Sequence, residues 1–225
     1  MQIIIYRGTH QIGGVATEIK TESSRILIDI GDELSQEDNY VPQQLSIPGI
    51  TDSEGMCDAV FITHYHGDHI GQLVNVREDI PIYMGCLAKD IMLAMAGNNV
   101  GLIKRIEKAH TFLPGVKIQI RDIAVTPYSI DHSACDSYMF LIEAENKRIL
   151  HTGDFRFHGF RWKGVLKLLD IRIGKIDMLI TEGTTLSRTE QEMMTEQELQ
   201  HKAREYMEHY KYVFVLCSST NLERI

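Results

Sequence analysis

The chain has 225 residues, 44% of them hydrophobic and 24% charged, which is the composition of a globular protein with a sizeable core. Its four cysteines are far apart with no C-x-x-C pair, and no apolar run is long enough for a signal peptide or a membrane helix. These features exclude a disulfide framework and predict a cytoplasmic protein with reduced thiols. The formal net charge of −8 argues against a nucleic-acid partner, although metal ions bound in a cleft could offset it locally.

The first part of the chain predicts a short series of strands. Apolar, β-rich runs lie at residues 2–6, 15–20 and 25–29, and a hairpin joins the last two. Asp29 stands at the end of the third run. Residues 32–56 are polar and contain two prolines, so we expect a surface excursion with little regular structure there.

The stretch that follows concentrates residues that can bind metals. A short apolar run at residues 59–62 predicts a buried strand, and the sequence Thr-His-Tyr-His-Gly-Asp-His comes directly after it. Four candidate ligands fall within six residues: His64, His66, Asp68 and His69. A rigid strand that delivers imidazoles into a loop is a common way to build a metal site, and imidazole with carboxylate suits zinc, iron or manganese. The alternative is a polar loop that is rich in histidine by chance.

Two further candidate ligands stand beside predicted strands. Strands are predicted at residues 81–84, 116–120, 123–128, 138–143 and 148–151, and a helix at residues 87–96. His132 lies in the loop before the fourth of these strands, and Asp154 follows the fifth. Because strand ends at one edge of a sandwich converge, we expect both side chains to approach the metal motif. His151 is expected to pack beside Asp154, while His10 and His158 are open candidates for the cleft wall.

The pattern H-x-H-x-D-H after a buried strand resembles the signature of the metallo-β-lactamase superfamily. His132 and Asp154 match the histidine of its third motif and the aspartate of its fourth. The resemblance implies an α/β (α+β) fold, an αββα sandwich, with two divalent metals, either zinc or alternatively manganese or iron. It also implies catalytic roles for Asp68, His132 and Asp154. Asp29 matches the family's structural support of the metal loop, with a simple turn aspartate as the alternative.

The same resemblance implies how the ligands divide between the two metals. The ligands implied for the first metal are His64, His66 and His132, and those for the second are Asp68 and His69. Asp154 would bridge the two. The family's remaining ligand, a histidine, is expected beyond residue 225, so we expect this chain alone to be a poor catalyst.

The segment after Asp154 interleaves arginines with aromatic residues, as Phe-Arg-Phe-His-Gly-Phe-Arg-Trp-Lys. Such a mixture suits a single-stranded nucleic acid, through phosphate contacts and base stacking. We therefore expect Arg156 and Arg161 to contact the substrate, together with Ser133 and Ser137 of an earlier loop. The alternative is a mixed loop whose aromatic side chains pack inward.

The last part of the chain predicts three more elements. A strand is predicted at residues 177–181, a helix begins with the capping box of Thr195 and Glu198, and a fully buried strand is predicted at residues 212–217. The sequence Thr-Glu-Gly-Thr around Glu182 resembles the first motif of the β-CASP branch of the superfamily, which holds ribonuclease J-like enzymes. His-Ser-Ala-Cys-Asp-Ser, further upstream, resembles a ribonuclease J loop.

This second resemblance implies a supporting role for Glu182 and a further α/β domain after it. The predicted domains are residues 1–187, with the metallo-β-lactamase fold, and residues 188–225, the truncated start of a β-CASP-like domain.

The expected function is that of a metal-dependent hydrolase. The resemblance implies a ribonuclease or RNA-processing phosphodiesterase that uses a water activated by two metals, with single-stranded RNA as its partner and no membrane. DNA as a substrate and a homo-oligomer remain open. One alternative is another hydrolase of this fold, of the lactonase or thioesterase type, against which the Glu182 motif argues. The other is a non-catalytic family member, against which the complete H-x-H-x-D-H motif argues.

Overall fold

The computed structural model describes residues 1–34, 40–53, 55–186, 194–218 and 221. The described strands form two sheets, one of six strands and one of five. Helices cover the outer face of each sheet, so the described chain is the αββα sandwich that the sequence predicted. None of the described helices is long and apolar enough to cross a membrane.

The first sheet runs in chain order from one edge to the other. Its strands are β1 (Gln2–Arg7), β2 (Ala16–Lys20), β3 (Arg25–Ile28), β4 (Ala59–Phe61), β5 (Ile82–Gly85) and β6 (His110–Phe112). β1 to β3 are antiparallel, whereas β3 to β6 are parallel. Parallel strands need crossover connections, which α2 (Cys86–Met95) and α3 (Val100–Glu107) supply between β5 and β6. Because β3 and β4 are parallel, the residues that follow both strands leave the sheet at the same end.

The second sheet brings three loops to the same end of the sandwich. Its strands are β7 (Ile118–Ile120), β8 (Ile123–Ser129), β9 (Tyr138–Ala144), β10 (Lys147–His151) and β11 (Met178–Ile180), adjacent in this order. β10 pairs with β9 antiparallel and with β11 parallel, so His151 lies beside Phe140 and Ile180. The end of β8 lies opposite the start of β9. The loops after β8, β10 and β11 therefore leave the sheet together.

Alternation along the strands separates three layers of core. In β3, Ile26 and Ile28 face the second sheet, while Leu27 faces the helices. Between the sheets, Phe61 and Phe140 pack edge to face with ring centroids 5.7 Å apart. On the outer face of the second sheet, apolar side chains of the strands pack against α4 (Trp162–Leu168) and the π-helical turn Leu169–Ile173.

Most of the predicted strands are confirmed. β9 and β10 form an antiparallel hairpin, and its two turn residues, Glu145 and Asn146, have positive φ. One strand, β6, and several helical elements were not predicted from the sequence: α3, α4 (Trp162–Leu168), the π-helical turn Leu169–Ile173, and the short turns Gly67–Ile70 and Leu73–Asn75. Residues 32–56 form no helix and one isolated β-bridge in their described part, as expected, but Ile47 and Ile50 are fully buried. The segment is therefore anchored in the core of the helical face, and its residues 35–39 and 54 lie outside the described residues.

One predicted element is wrong. Residues 212–217 have no regular structure and are exposed, with Phe214 96% and Leu216 102% accessible. An apolar run becomes a strand only where another strand completes its hydrogen bonds, and no described strand pairs with this one. The preceding helix, α5 (Glu196–His209), is confirmed with both hydrogen bonds of its capping box. The predicted domain boundary at residue 187 lies outside the described residues. So does most of the segment 218–225, whose sequence Ser-Ser-Thr-Asn-Leu-Glu-Arg-Ile predicts the start of a further helix.

Candidate metal centre

Hydrogen bonds from neighbouring loops hold the metal motif at the carboxyl end of β4. The motif turns into a short helix, α1 (Gly67–Ile70). Val15 N donates to the carbonyl oxygen of Asp68 at 3.0 Å, and Ile30 N donates to that of His69 at 2.8 Å. A Cβ at Gly31 would lie 1.6 Å from the Asp68 carbonyl oxygen, so the close approach of these two segments requires glycine.

The predicted ligand side chains converge in two overlapping groups. Candidate ligand atoms lie within 4.8 Å of one another in the group His64, His66 and His132, and again in the group His64, His69 and Asp154. In the first group, His66 Nδ1 lies 3.1 Å from His64 Nε2 and 3.3 Å from His132 Nε2. In the second group, His69 Nε2 lies 3.3 Å from Asp154 Oδ1.

Asp68 and Asp154 occupy the open side of this cluster. Asp68 Oδ2 lies 3.8 Å from His69 Nε2, and Asp154 Oδ2 lies 3.9 Å from His132 Nε2. The side chains of the two aspartates are 16% and 19% exposed, whereas His69 is almost completely buried. The structure thus brings all six predicted ligands into one cluster, with its carboxylates toward solvent.

Three imidazoles of the cluster are held neutral by burial. Loss of solvation lowers the pKa of His64 well below its ordinary value and lowers that of His66. The same cause, together with nearby imidazoles, lowers the pKa of His132 to about 4 against the opposing effect of Asp154. A neutral imidazole offers a free lone pair, which is the form in which histidine binds metals.

His69 differs because two carboxylates face it. Burial alone would lower the pKa of His69, but Asp29 and Asp154 outweigh burial and raise this pKa to about 10. For the carboxyl group of Asp154, burial acts in the opposite direction and would raise the pKa. The neighbouring His69 nevertheless holds the pKa of Asp154 below its ordinary value. Without a bound cation, a proton on His69 balances these carboxylates.

The cluster fits a divalent metal. His69 Nε2 is buried and makes no hydrogen bond of good geometry among the described residues, and its charged neighbours, Asp154 Oδ1 at 3.3 Å and Asp68 Oδ2 at 3.8 Å, are themselves candidate ligands. Imidazole nitrogens with carboxylate oxygens are ligands that zinc, manganese and iron accept. A cation beside His69 Nε2 could replace the proton and neutralise the carboxylates, since metal binding releases protons from its ligands.

Asp29 orients the His69 ring so that Nε2 faces the cluster. It is fully buried at the end of β3, with a left-handed φ of 58°. Its carboxylate accepts hydrogen bonds from Thr63 N at 2.8 Å and Thr63 Oγ1 at 2.7 Å, and it lies 2.8 Å from His69 Nδ1. A carboxylate on Nδ1 fixes the tautomer that directs Nε2 toward a metal. These are the contacts that the predicted supporting role requires.

Glu182 and His151 line the cavity next to the cluster. Glu182 Oε1 accepts a hydrogen bond from Phe155 N at 2.7 Å, directly after Asp154 in the chain. His151 is buried, its Nδ1 accepts from Gly153 N at 3.2 Å, and burial lowers its pKa to about 4. The cavity has a volume of about 560 Å³, and its wall includes His10, Asp68, His69, His151, Asp154 and Glu182. His158 is not among the lining residues.

Two of the four predicted substrate residues are committed to the interior. The Arg156 side chain is 8% exposed and forms ion pairs with Asp131 and Glu196. Ser137 is 1% exposed, and its hydroxyl donates to the Ala134 carbonyl oxygen. The prediction that they contact the substrate is therefore corrected. An arginine beside aromatics can bind either an external phosphate or a buried carboxylate, and only the tertiary structure distinguishes them.

The other substrate candidates remain accessible. Arg161 is exposed and Ser133 is half-buried. In the same loop, Phe157 and Phe160 are 47% and 46% exposed, whereas Phe155 packs into the outer core of the second sheet. The loop is therefore mixed, between the two alternatives that its sequence left open.

Two residues that organise the site were not singled out from the sequence. Thr63 contacts Asp29, and its carbonyl oxygen accepts from Tyr138 N at 3.0 Å, which ties the two sheets together. Tyr65 is buried, and its hydroxyl accepts from Cys135 N at 2.9 Å, which ties the metal motif to the His132 loop. The available signal was a hydroxyl residue and an aromatic residue placed directly beside ligand histidines.

Comparison with known proteins agrees with this geometry. A model of the β-lactamase superfamily domain matches residues 24–213. The chain is 29% identical over 202 residues to "Probable RNase MJ4" of Methanocaldococcus jannaschii, covering 80% of this chain and 45% of that protein. It is 25% identical over 194 residues to ribonuclease J of Mycoplasma genitalium, covering 81% of this chain and 33% of that protein. The chain thus spans less than half the length of these relatives.

Solved structures share the fold. A protein of unknown function from Enterococcus faecalis V583 superposes with a TM-score of 0.74 at 23% identity, covering 92% of this chain and 57% of that chain. Zinc-bound PqqB from Methylobacterium extorquens superposes with a TM-score of 0.52 at 17% identity, covering 75% of this chain and 60% of that chain. With the family match over most of the sequence, the chain belongs to the metallo-β-lactamase superfamily and corresponds to the N-terminal portion of its ribonuclease J-like members.

Proposed function

We propose that this chain carries the metal-binding part of a ribonuclease that hydrolyses phosphodiester bonds in single-stranded RNA. The observation that carries the proposal is the cluster of six ligand-type side chains beside a cavity of about 560 Å³. Relatives named ribonuclease J, and a transcription termination factor named FttA from Methanothermobacter thermautotrophicus (26% identical, covering 79% of this chain and 30% of that protein), support RNA as the substrate. Because the chain spans less than half of these relatives, the activity is proposed for the whole protein.

In this proposal the residues divide between two metals, zinc in the first instance and manganese or iron as alternatives. His64, His66 and His132 would hold one metal, Asp68 and His69 would hold the other, and Asp154 would be available to both. When bound, the metals would supply an activated water and neutralise negative charge on the phosphate. The two partly exposed carboxylates, Asp68 and Asp154, lie on the cavity wall where a phosphate would approach.

The chain's own side chains have distinct parts in this reaction. Asp68 is the proposed acceptor of the proton that the attacking water releases, because its carboxylate faces the cavity. Asp29 holds the His69 ring, and Glu182 holds the backbone that follows Asp154. Arg161 is proposed to contact a phosphate and the exposed rings of Phe157 and Phe160 to stack on bases.

The test is an assay of the metal-reconstituted whole protein against labelled single-stranded RNA, with single-stranded DNA in parallel. Elemental analysis first establishes the metal content. We expect cleavage to depend on added zinc or manganese, and Asp154→Asn to lower the rate at least a hundredfold without loss of folding by circular dichroism. The matched control is Asp177→Asn, since Asp177 lies on the surface beside β11 and pairs with Lys147.

Two outcomes would contradict the proposal. Metal-dependent turnover of a lactone or a thioester, without cleavage of RNA or DNA by the whole protein, would favour a different hydrolase of this fold. Stoichiometric metal without turnover of any of these substrates would favour a non-catalytic member.

A further inference from the structure

Arg156 connects the two loops that deliver His132 and Asp154. Asp131 precedes His132 in the chain, and Arg156 follows Asp154 by two residues. Arg156 Nε donates to Asp131 Oδ1 at 2.9 Å, and Arg156 N donates to the Asp131 carbonyl oxygen at 2.7 Å. Arg156 therefore binds the loop that carries His132 through both its side chain and its backbone. These contacts lie one residue from His132 and two residues from Asp154 in the chain.

The far end of the loop that carries Asp154 also contacts the carboxylate of Asp131. Arg161 N donates to Asp131 Oδ2 at 3.2 Å, and Asp131 is fully buried. A Cβ at Gly159 would lie 2.0 Å from Asp131 Oδ1, so the loop can wrap around the carboxylate only with glycine at this position. The geometry of the loop is therefore set by Asp131.

The guanidinium also reaches α5. Arg156 Nη1 lies 3.1 Å from Glu196 Oε1, and Glu196 is 3% exposed in the first turn of the helix. The backbone repeats the link, because Glu196 N donates to the His158 carbonyl oxygen at 2.8 Å. The start of α5 thus docks on the loop that carries Asp154, although the two are far apart in sequence.

The electrostatics make this arrangement sensitive to geometry. Two buried carboxylates share one buried guanidinium, and charges removed from water are tolerated only when their hydrogen bonds are well formed. Arginine can serve both carboxylates at once through its planar fork, whereas a lysine ammonium is a single point charge. Lysine at this position would preserve the charge but could not pair with Asp131 and Glu196 in the same geometry.

We propose that Arg156 is a positioning residue that sets the spacing of the His132 and Asp154 loops for metal binding and couples this spacing to the docking of α5 through Glu196. The inference rests on the metal site of the proposed function. It replaces substrate contact as the role of Arg156. Because coupling between two sites is reciprocal, metal binding should stabilise the docked start of α5, and loss of the link should weaken metal binding.

The first experiment measures zinc affinity by chelator competition, together with the absorption spectrum of the cobalt-substituted protein. We expect Arg156→Lys to weaken zinc binding 10- to 100-fold, as changes to groups that orient ligands typically do, and to alter the cobalt spectrum. The matched control is Arg105→Lys on α3, which is equally buried and donates to the carbonyl oxygens of Glu78 and Ile80 in the other helical layer. It should lower thermal stability but leave zinc affinity unchanged.

The second experiment follows hydrogen exchange of backbone amides in the first turns of α5. In the unaltered protein, zinc should slow this exchange several-fold, and Glu196→Gln should remove the effect while the Asp131 pair is retained. Unchanged zinc affinity and cobalt spectrum in Arg156→Lys would overturn this inference alone. Exchange that is the same with and without zinc would overturn the coupling to α5. Failure of the unaltered protein to bind metal would overturn both this inference and the proposed function.

Discussion

Single buried side chains set the chemical state of the candidate metal centre. Asp29 accepts hydrogen bonds from Thr63 and lies beside His69. Its carboxylate places a negative charge, buried away from water, next to the His69 ring. His69 responds with a raised pKa, while burial lowers the pKa of His64 and His132. The histidines of the cluster therefore differ in protonation: two carboxylates outweigh burial at His69, whereas burial and the neighbouring imidazoles prevail at His64 and His132.

His151 gives a pH-dependent prediction for the metal-free protein. Burial holds its pKa at about 4 in the folded state, against about 6.5 in an unfolded chain. Between these values the unfolded state binds the extra proton, so the free energy of unfolding falls as the pH drops from about 6.5 to about 4. His151→Asn can keep the acceptor for Gly153 N, and it should reduce the loss of stability between pH 7 and pH 5 by about 2 kcal/mol.

Urea unfolding at the two pH values, with chelator present, measures this difference. His201→Asn is the control for the same change of residue type at an exposed position, on α5. His64 and His132 act in the same direction and should keep some acid sensitivity in the variant. An equal loss of stability in His151→Asn and the unaltered protein would contradict the prediction.

Among the elements, the loop between β10 and α4 has an inward-facing part and a solvent-facing part. Arg156 and Phe155 are turned inward, while Arg161, Phe157 and Phe160 are accessible. The inward residues attach the loop to Asp131 and to the outer core of the second sheet. This attachment holds the exposed residues at a defined place next to Asp154.

Arg161 should therefore contribute to RNA binding through its charge. Arg161→Ala is expected to weaken binding of single-stranded RNA and to lower the slope of log affinity against log salt by about 1, as loss of one phosphate contact does. The measurement is fluorescence anisotropy at several salt concentrations. Arg121→Ala is the control, since Arg121 is exposed and pairs with Asp58, away from the candidate ligands in the chain. The same salt slope in Arg161→Ala as in the unaltered protein would return the loop to a purely structural role.

At the scale of the whole molecule, the candidate ligands come from both sheets. The H-x-H-x-D-H motif follows β4 of the first sheet, whereas His132 and Asp154 flank strands of the second. The sheets are otherwise joined mainly by apolar packing around Phe61 and Phe140. A bound cation would thus connect the two halves of the sandwich with strong, directional bonds.

Metal binding should accordingly raise thermal stability. Zinc at about 100 times its dissociation constant is expected to add about 2.7 kcal/mol, or roughly 5–10 °C in Tm for a chain of this size. His132→Gln should remove at least half of this increase, because it detaches one sheet from the site. His110→Gln, an exposed position on β6, should retain the full increase in the same thermal melts. A full increase in His132→Gln would place the stabilising metal elsewhere.

The sequence by itself determined the strands and the candidate ligands, because both depend on local patterns. Alternating apolar residues predicted most strands of the two sheets, and dense spacing marked the motif from His64 to His69. His132 and Asp154 were identified through their order and their position beside strands. The capping box of Thr195 and Glu198 is equally local and was also predicted correctly.

The tertiary structure alone decided which polar side chains face solvent and which face one another. Arg156 and Arg161 lie in the same aromatic-rich loop, yet the guanidinium of Arg156 is buried and pairs with carboxylates from distant parts of the chain, whereas Arg161 is exposed. The apolar run at residues 212–217 satisfied the local pattern of a strand but pairs with no described strand. Local composition specifies what a segment can form, whereas hydrogen-bond partners and burial depend on segments far away in the sequence.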